Sequence, residues 1–179
     1  MQDAMKIRKA EPNEFRNVRL FYHSLIDAME GTPYHPKWKK DIYPSPEDLK
    51  AAIDEHTLYL GTDGERIAAA MVLNRKCNAE YADAAWSQPL DRDEFAVIHM
   101  LGVHRNYQGR GYAKQLVGHA IDLARQAGIR AIRLDVLKGN EPAKRLYTGL
   151  GFRHAGTLPL FYEDTGRVEF ELYEYAIGR

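Results

Sequence analysis

The sequence predicts one domain over residues 1–179 of the α/β (mixed α+β) class, with helices flanking a single mixed sheet. Strand-like and helix-like apolar patterns alternate along the chain. The clearest strand, Phe95–Val103, precedes the clearest helix, which starts near Ala113, and the strand Ala131–Leu137 follows. This order predicts a right-handed parallel crossover. A chain of 179 residues with 45% apolar residues can also bury one substantial core.

The first half of the chain predicts three strands and two helices. Apolar residues recur at helical spacing after Pro12, Ser45 has the sequence context of a helix N-cap, and Asp63-Gly64 is typical of a hairpin turn. The predicted elements are a strand at Met5–Lys9, a helix from Pro12 to Gly31, an ordered loop at Thr32–Pro46, a helix from Ser45 to near His56, and a hairpin of Thr57–Thr62 with Arg66–Leu73.

The second half predicts the central crossover and a terminal pair of strands. A near-continuous apolar run indicates a strand that is buried on both faces, and an i, i+3, i+4, i+7 stripe indicates an amphipathic helix. The predicted elements are an irregular segment at Asn74–Arg92, the strand Phe95–Val103, a helix from Ala113 to Gly128, the strand Ala131–Leu137, a helix from Asn140 to Gly149, and strands at Gly151–Ala155 and Val168–Ala176.

Charge and cysteine content exclude several classes of function. The net charge is zero and the isoelectric point is about 7.1, so no global positive field attracts nucleic acid or an anionic membrane. The apolar stretches are too short to span a membrane, and the N-terminus lacks the apolar segment of a signal peptide. Cys77 is the only cysteine, so a cytoplasmic location is expected. The histidine spacings indicate no metal site.

A glycine-containing segment between the central strand and its helix predicts an anion site. Gly109 and Gly111 stand at the helix start, where free backbone amides and the helix dipole favour a phosphate, and Arg110 and Lys114 add positive charge. The segment does not fit a P-loop. It also departs from the dinucleotide-binding fingerprint, because Lys114 occupies the position of the third glycine; Asp135 could otherwise mimic the ribose-binding acid.

At these residues the sequence resembles the Gcn5-related N-acetyltransferase (GNAT) family. Gln108-Gly109-Arg110-Gly111-Tyr112-Ala113 is similar to the family's pyrophosphate motif, Gln/Arg-x-x-Gly-x-Gly/Ala, and it follows a strand ending in Leu101-Gly102-Val103-His104. The family's next motif is similar to Asn140, Ala143, Leu146-Tyr147 and Gly151-Phe152. The resemblance implies a twisted, mostly antiparallel sheet of about seven strands, splayed at its centre and flanked by about four helices.

The resemblance also implies the cofactor-binding residues. Amides around the glycine motif would hold the pyrophosphate of acetyl-CoA, the edge of the splayed strand would pair with the pantetheine arm, and an asparagine would bind the pantetheine region. In this sequence those residues are Leu101, Gly102, Val103, Gln108, Gly109, Arg110, Gly111, Tyr112, Ala113, Lys114 and Asn140.

Two residues are the candidate catalytic groups. The resemblance implies that Tyr147 protonates the departing thiolate of CoA, although packing on its own helix face is an alternative role. His99 is a polar residue inside an apolar strand, which predicts either a general base or a buried histidine with a hydrogen-bonding neighbour. Glu94 and a chain of water molecules are the alternative bases. The amide of Leu101 is the candidate donor to an oxyanion.

These inferences predict an acetyl-CoA-dependent N-acetyltransferase that needs no metal and acts on a primary amine. A small amine or amino acid is the favoured acceptor, and a protein or peptide amine is the alternative. A non-catalytic acyl-CoA-binding module is the alternative of a different class. No nucleic-acid or membrane partner is expected, and pairing of the exposed final strands would give a homodimer.

Overall fold

A computed structural model describes residues 4–33 and 36–178, and its centre is one seven-stranded sheet. The strands are β1 (Lys6–Lys9), β2 (Leu58–Asp63), β3 (Arg66–Asn74), β4 (Phe95–Val103), β5 (Ala131–Leu137), β6 (Arg153–Tyr162) and β7 (Gly166–Ala176). The helices are α1 (Phe15–Met29), α2 (Pro46–Asp54), α3 (Tyr112–Gln126) and α4 (Glu141–Gly149). The strand order is β1-β2-β3-β4-β5-β7-β6, and β4 with β5 is the parallel pair. The predicted mixed, mostly antiparallel fold is confirmed.

Local sequence signals account for the starts of α1 and α2. At α2, the Ser45 hydroxyl accepts a hydrogen bond from the Asp48 amide at 3.0 Å, and the Asp48 carboxylate accepts one from the Ser45 amide at 3.1 Å. The α-helical part of the first helix begins later than predicted. A 3₁₀ turn at Pro12–Glu14 precedes it, held by the Glu14 carboxylate, which accepts from the Glu11 amide at 2.9 Å.

The helices cover opposite faces of the sheet. Buried apolar residues of α1 and α2 pack against β2 and β3, and those of α3 pack on the other face with α4 beside them. Representative members of the first layer are Val18, Leu25, Leu49, Leu60 and Val72. Representative members of the second are Leu116, Val117, Ile132, Leu134 and Tyr147.

The two parallel strands separate along their length. Phe95–Val97 of β4 pair with Ala131–Arg133 of β5, and the pairing ends at Val97 and Arg133. Beyond this point both strands border an open cavity. The splay therefore explains why the second half of β4 is only half-buried, although the sequence predicted a strand buried on both faces.

The strand β6 is longer than predicted. Its predicted extent, Gly151–Ala155, covers only the beginning of Arg153–Tyr162. Because β6 lies at the edge of the sheet, Pro159 can occupy it without breaking the sheet, and exposed residues interrupt its apolar alternation. In the loop before α2, Tyr34 and His35 lie outside the described residues, and Lys39 forms an isolated bridge with Tyr43.

A buried ion pair ties the segment between β3 and β4 to the sheet. Arg133 Nε donates to Glu174 Oε2 at 2.8 Å, and both side chains are almost fully buried. The guanidinium lies 4.3 Å from the centre of the Trp86 ring and 4.4 Å from that of Phe95. Glu174 also accepts from the Ser87 amide at 2.9 Å. The pair therefore positions the segment that carries Trp86 and Ser87.

We expect Glu174→Ala to lower the free energy of unfolding by about 3–5 kcal/mol, because it leaves the Arg133 charge buried without its partner. Urea denaturation measures this loss. Glu169→Ala is the matched control, since it removes an exposed pair with Lys138 and should cost less than about 1 kcal/mol. Equal losses in the two variants would contradict a structural role for the buried pair.

Candidate active site

One cavity of about 630 Å³ opens at the split between β4 and β5. The predicted site residues that line it are His99, Leu101, Gly102, Val103, Gln108, Asn140 and Tyr147. The cavity is also lined by residues from the α1–α2 loop, β5, the end of β6 and the β6–β7 turn, namely Trp38, Tyr43, Asp135, Tyr162 and Asp164. The cavity thus joins predicted cofactor residues to aromatic and acidic side chains.

The glycine motif lies at the edge of this cavity. Gln108 lines the cavity, and the chain then continues through Gly109 and Gly111, which both have left-handed backbone geometry with φ of 78° and 76°. Gly111 is the N-cap of α3, and no side chain among the described residues caps that terminus. The first amides of α3 are therefore available to an anion. The other predicted motif residues, Gly109 to Lys114, continue beyond the cavity wall into α3.

A bulge shapes β4 where it borders the cavity. His99 pairs with Val72 and Gly102 pairs with Ala70, so Met100 and Leu101 together oppose a single residue of β3. Met100 has φ of 53°, and its carbonyl accepts a hydrogen bond from the Tyr22 hydroxyl at 2.8 Å. Such a bulge leaves backbone groups outside the ladder, where they can bind a ligand.

Tyr147 is placed by α4 and by the residues that begin and follow that helix. Asn140 caps α4 through its side-chain oxygen, which accepts from the Ala143 amide at 3.4 Å. The Tyr147 ring packs edge-on against Phe152 with 5.4 Å between ring centres. It is buried yet lines the cavity, and desolvation raises the pKa of its hydroxyl above the ordinary value. Tyr147 is therefore a packed side chain whose hydroxyl keeps its proton.

His99 lines the cavity with a defined ring orientation. Its Nε2 lies 2.8 Å from the Lys76 carbonyl and 3.0 Å from Asn74 Oδ1, which itself accepts from the Lys76 amide. Both neighbours are acceptors, so Nε2 carries the proton and Nδ1 keeps the lone pair. Desolvation lowers the pKa of His99 below its ordinary value, while the nearby Asp135 acts in the opposite direction.

Glu94 lies at the opposite end of β4 and is not part of the cavity wall. Its carboxylate pairs with Arg130 at 2.8 Å and accepts from the Asp91 amide at 2.8 Å. The backbone hydrogen bond first, and Arg130 second, lower the pKa of Glu94. This geometry is that of a structural acid, so we do not retain Glu94 as a base.

Asp135 is a cavity residue that sequence reasoning considered only as a ribose-binding acid. Its Oδ2 accepts from the Tyr81 hydroxyl at 2.6 Å and from the Tyr162 hydroxyl at 2.8 Å. Desolvation raises its pKa despite these two donors. The sequence pattern did not single it out, because Asp135 alternates with Leu134 and Val136 as a residue on the exposed face of a strand does.

Neither a metal cluster nor a membrane-spanning helix is found in the described part of the chain. No group of three or more potential ligand side chains comes together there. None of the helices in residues 4–33 and 36–178 is long and apolar enough to cross a bilayer.

Comparisons with known proteins show what this chain is similar to in sequence and in fold. Residues 20–152 match the family model described as "Acetyltransferase (GNAT) family". An uncharacterized N-acetyltransferase, YycN of Bacillus subtilis, is 36% identical over 67 residues, which are 37% of this chain and 43% of YycN. The N-alpha-acetyltransferase RimI of Mycobacterium tuberculosis is 35% identical over 69 residues, 38% of this chain and 42% of RimI. The chain thus matches less than half the length of either relative.

Solved structures share the fold across the whole chain. A GNAT-family acetyltransferase from Streptococcus agalactiae superposes with a TM-score of 0.81 at 20% identity, covering 100% of this chain and 99% of that one. The protein yncA of Salmonella typhimurium, solved with its cofactor acetyl-CoA, gives a TM-score of 0.70 at 15% identity, covering 98% of this chain and 95% of that one.

Proposed function

This chain belongs to the acetyltransferase (GNAT) family, and we propose that it transfers the acetyl group of acetyl-CoA to a primary amine by direct attack in a ternary complex. The observation that supports this most is the single cavity at the β4–β5 split, which connects Gln108 at the glycine motif with Tyr147 and His99. We treat residues 1–179 as one catalytic domain.

The binding of acetyl-CoA follows from the cofactor end of the cavity. The uncapped amides after Gly111 bind the pyrophosphate, with Arg110 and Lys114 supplying positive charge nearby. The β4 edge at Leu101–Val103 forms hydrogen bonds with the pantetheine arm as an added strand would. The side-chain oxygen of Asn140 is occupied in capping α4, so its amide group is the donor that remains for pantetheine.

Three groups then serve the chemistry. His99 takes a proton from the ammonium through Nδ1 before attack and passes it to solvent, and it then takes the second proton as the nitrogen–carbon bond forms and releases it likewise. The Leu101 amide donates to the acetyl oxygen as that oxygen gains negative charge. Tyr147 gives its proton to sulfur as the carbon–sulfur bond breaks, and it is reprotonated from solvent. The products are the amide, free CoA and one released proton.

A small amine or amino acid is the acceptor that we favour. Three aromatic residues, Trp38, Tyr43 and Tyr162, line the proposed acceptor side of the cavity. The ring centre of Tyr43 lies 6.2 Å from that of Trp38 and 5.3 Å from that of Tyr162, which suits a small acceptor. A protein or peptide amine is the second candidate. The similarity to RimI, an N-alpha-acetyltransferase, favours it. Steady-state turnover with free amines and with short peptides distinguishes the two.

Calorimetry and a thiol-release assay test the proposed function. Acetyl-CoA should bind and NAD should not, and addition of a primary amine should release free CoA thiol. Binding without turnover of any amine or peptide would indicate the non-catalytic acyl-CoA-binding alternative. NAD binding in preference to acetyl-CoA would overturn the proposal as a whole.

We expect Gly111→Ala to weaken acetyl-CoA binding about tenfold, because a side chain in this left-handed position costs about 1–2 kcal/mol and the loop relaxes away from the binding geometry. Calorimetry measures the change. Gly118→Ala is the control, since Gly118 lies inside α3 and a Cβ atom there meets nothing within 4 Å. Equal affinities in the two variants would contradict a role for the Gly111 backbone.

The cytoplasmic location and the homodimer stay predictions. The half-buried Cys77 thiol contacts Arg92, and desolvation raises its pKa, so this cysteine has the surroundings of a structural residue. β6 forms one edge of the sheet and exposes Phe161, a surface that a second copy could cover.

A further inference from the structure

We propose that the acceptor is a compact aliphatic diamine, bound as a dication with its reacting nitrogen at Asp135 and its distal ammonium at Asp164. This inference rests on the proposed acetyltransferase function and specifies its acceptor. Four features of the cavity carry it: a carboxylate beside the split, a second carboxylate with an unpaired oxygen, an aromatic wall between them, and the distribution of basic residues.

The first carboxylate, Asp135, lies near His99, the proposed base. Asp135 is two residues beyond Arg133, the last residue of β5 that pairs with β4. It shares the cavity with His99, and the two groups interact electrostatically. Both hydroxyl donors, from Tyr81 and Tyr162, go to Oδ2. The other oxygen, Oδ1, is therefore the acceptor that can hold an ammonium beside the base.

The second carboxylate contains an unsatisfied oxygen. Asp164 is 5% exposed and lines the same cavity, and its Oδ1 has no hydrogen-bond partner among the described residues. Its carboxylate receives hydrogen bonds from its own amide and from that of Thr165, yet desolvation still raises its pKa. A buried carboxylate oxygen without a partner is costly, and a bound cation with N–H donors would satisfy it.

An aromatic wall links the two carboxylates. The hydroxyl of Tyr162 bonds Asp135 at 2.8 Å, and Asp164 follows Tyr162 by two positions along the chain, so this tyrosine connects the two acids. The Tyr162 ring contacts Tyr43, and both rings interact electrostatically with both acids. A short methylene chain with a charge at each end fits such a wall, since aromatic faces attract cations and cover methylenes.

The charges around the two acids differ inside and outside the cavity. Of the described residues that line it, Arg105 carries the only permanent positive charge. Asp164 also borders a neighbouring pocket lined by lysines, of which Lys39 acts on it electrostatically. Within the cavity, no described lysine or arginine other than Arg105 faces Asp135 and Asp164, which favours a ligand that brings a positive charge to each.

The test compares a four-carbon diamine with butylamine at saturating acetyl-CoA. The wild-type kcat/KM should favour the diamine by about tenfold or more, the size expected of one buried charged hydrogen bond. Asp164→Asn should reduce this preference to about one. Glu163→Gln removes a neighbouring exposed charge from the same turn and should keep the preference. No preference in the wild type, or a preference that survives Asp164→Asn, would overturn the inference.

Failure of the inference and failure of the proposed function give different results. Turnover of butylamine without any preference for the diamine contradicts the diamine alone. Absence of acetyl-CoA binding contradicts the acetyltransferase. If acetyl-CoA binds but neither amine reacts, calorimetry of the diamine with the CoA-loaded protein decides: binding that Asp164→Asn abolishes supports the diamine site, and absence of binding overturns it. Thermal unfolding of each variant confirms that it is folded.

Discussion

Replacement of Tyr147 by Phe should lower kcat about 10²–10⁴-fold while the dissociation constant of acetyl-CoA changes less than threefold. The Tyr147 ring packs on Phe152 and lines the cavity, and phenylalanine preserves that packing. The variant loses only the proton that we assign to the departing sulfur. Because burial raises the pKa of Tyr147, the hydroxyl holds this proton throughout the neutral range.

Tyr173→Phe is the matched control for this experiment. Tyr173 is a fully buried tyrosine on β7, its hydroxyl has no hydrogen-bond partner in the described part of the chain, and it is not part of the cavity wall. Its replacement should leave both turnover and acetyl-CoA binding intact. Stopped-flow thiol release and calorimetry measure the two quantities. If Tyr147→Phe turns over at the wild-type rate, Tyr147 is a packing residue and the sulfur takes its proton from another donor.

The crossover was predictable because its signals are local. The apolar run of β4, the stripe of α3 and the glycines between them are strong patterns within one stretch of chain. The extent of β6 was not predictable in the same way. Edge strands expose every second residue and tolerate Pro159, so their pairing is decided by the neighbouring strand and not by their own pattern.

The candidate site was predictable on its cofactor side and only partly on its acceptor side. The cofactor side is one short motif, whereas the acceptor side combines Trp38 and Tyr43 from one loop, Asp135 from β5 and Asp164 from a turn. These residues are far apart in the sequence, and only the fold brings them together. His99 carries a recognisable signal, a polar side chain in an apolar strand, whereas Asp135 alternates with apolar neighbours as an exposed residue does, and only the fold places both at one cavity.

Replacement of His99 by Gln should lower kcat/KM about 10²–10⁴-fold at neutral pH and remove the acidic limb of the pH profile. Glutamine keeps an N–H donor for the Asn74 and Lys76 oxygens but offers no basic nitrogen. In the wild type the rate should rise with pH and level off below pH 6.5, because desolvation lowers the pKa of His99 below that ordinary value and the base acts unprotonated.

The lowered pKa of His99 also makes the stability of the protein depend on pH, and the linkage between protonation and folding fixes the direction of that dependence. Below pH 6.5 the unfolded chain protonates this histidine more readily than the folded protein does, so His99 costs stability as the pH falls from 6.5 through the folded pKa. His99→Gln should remove that loss. His154→Gln, at an exposed histidine of β6, is the control and should change neither the rate profile nor the cavity.

Replacement of Asp135 tests which group's protonation produces the acidic limb of the pH–rate profile. Its negative charge raises the pKa of His99, opposing desolvation, so Asp135→Asn should move the limb to lower pH if His99 is the base. A water chain ending in solvent would lack this dependence. Measurement of kcat/KM for butylamine from pH 5 to pH 8 in His99→Gln and in Asp135→Asn distinguishes His99 from a water chain as the base. A limb that survives His99→Gln and ignores Asp135→Asn would assign proton removal to water.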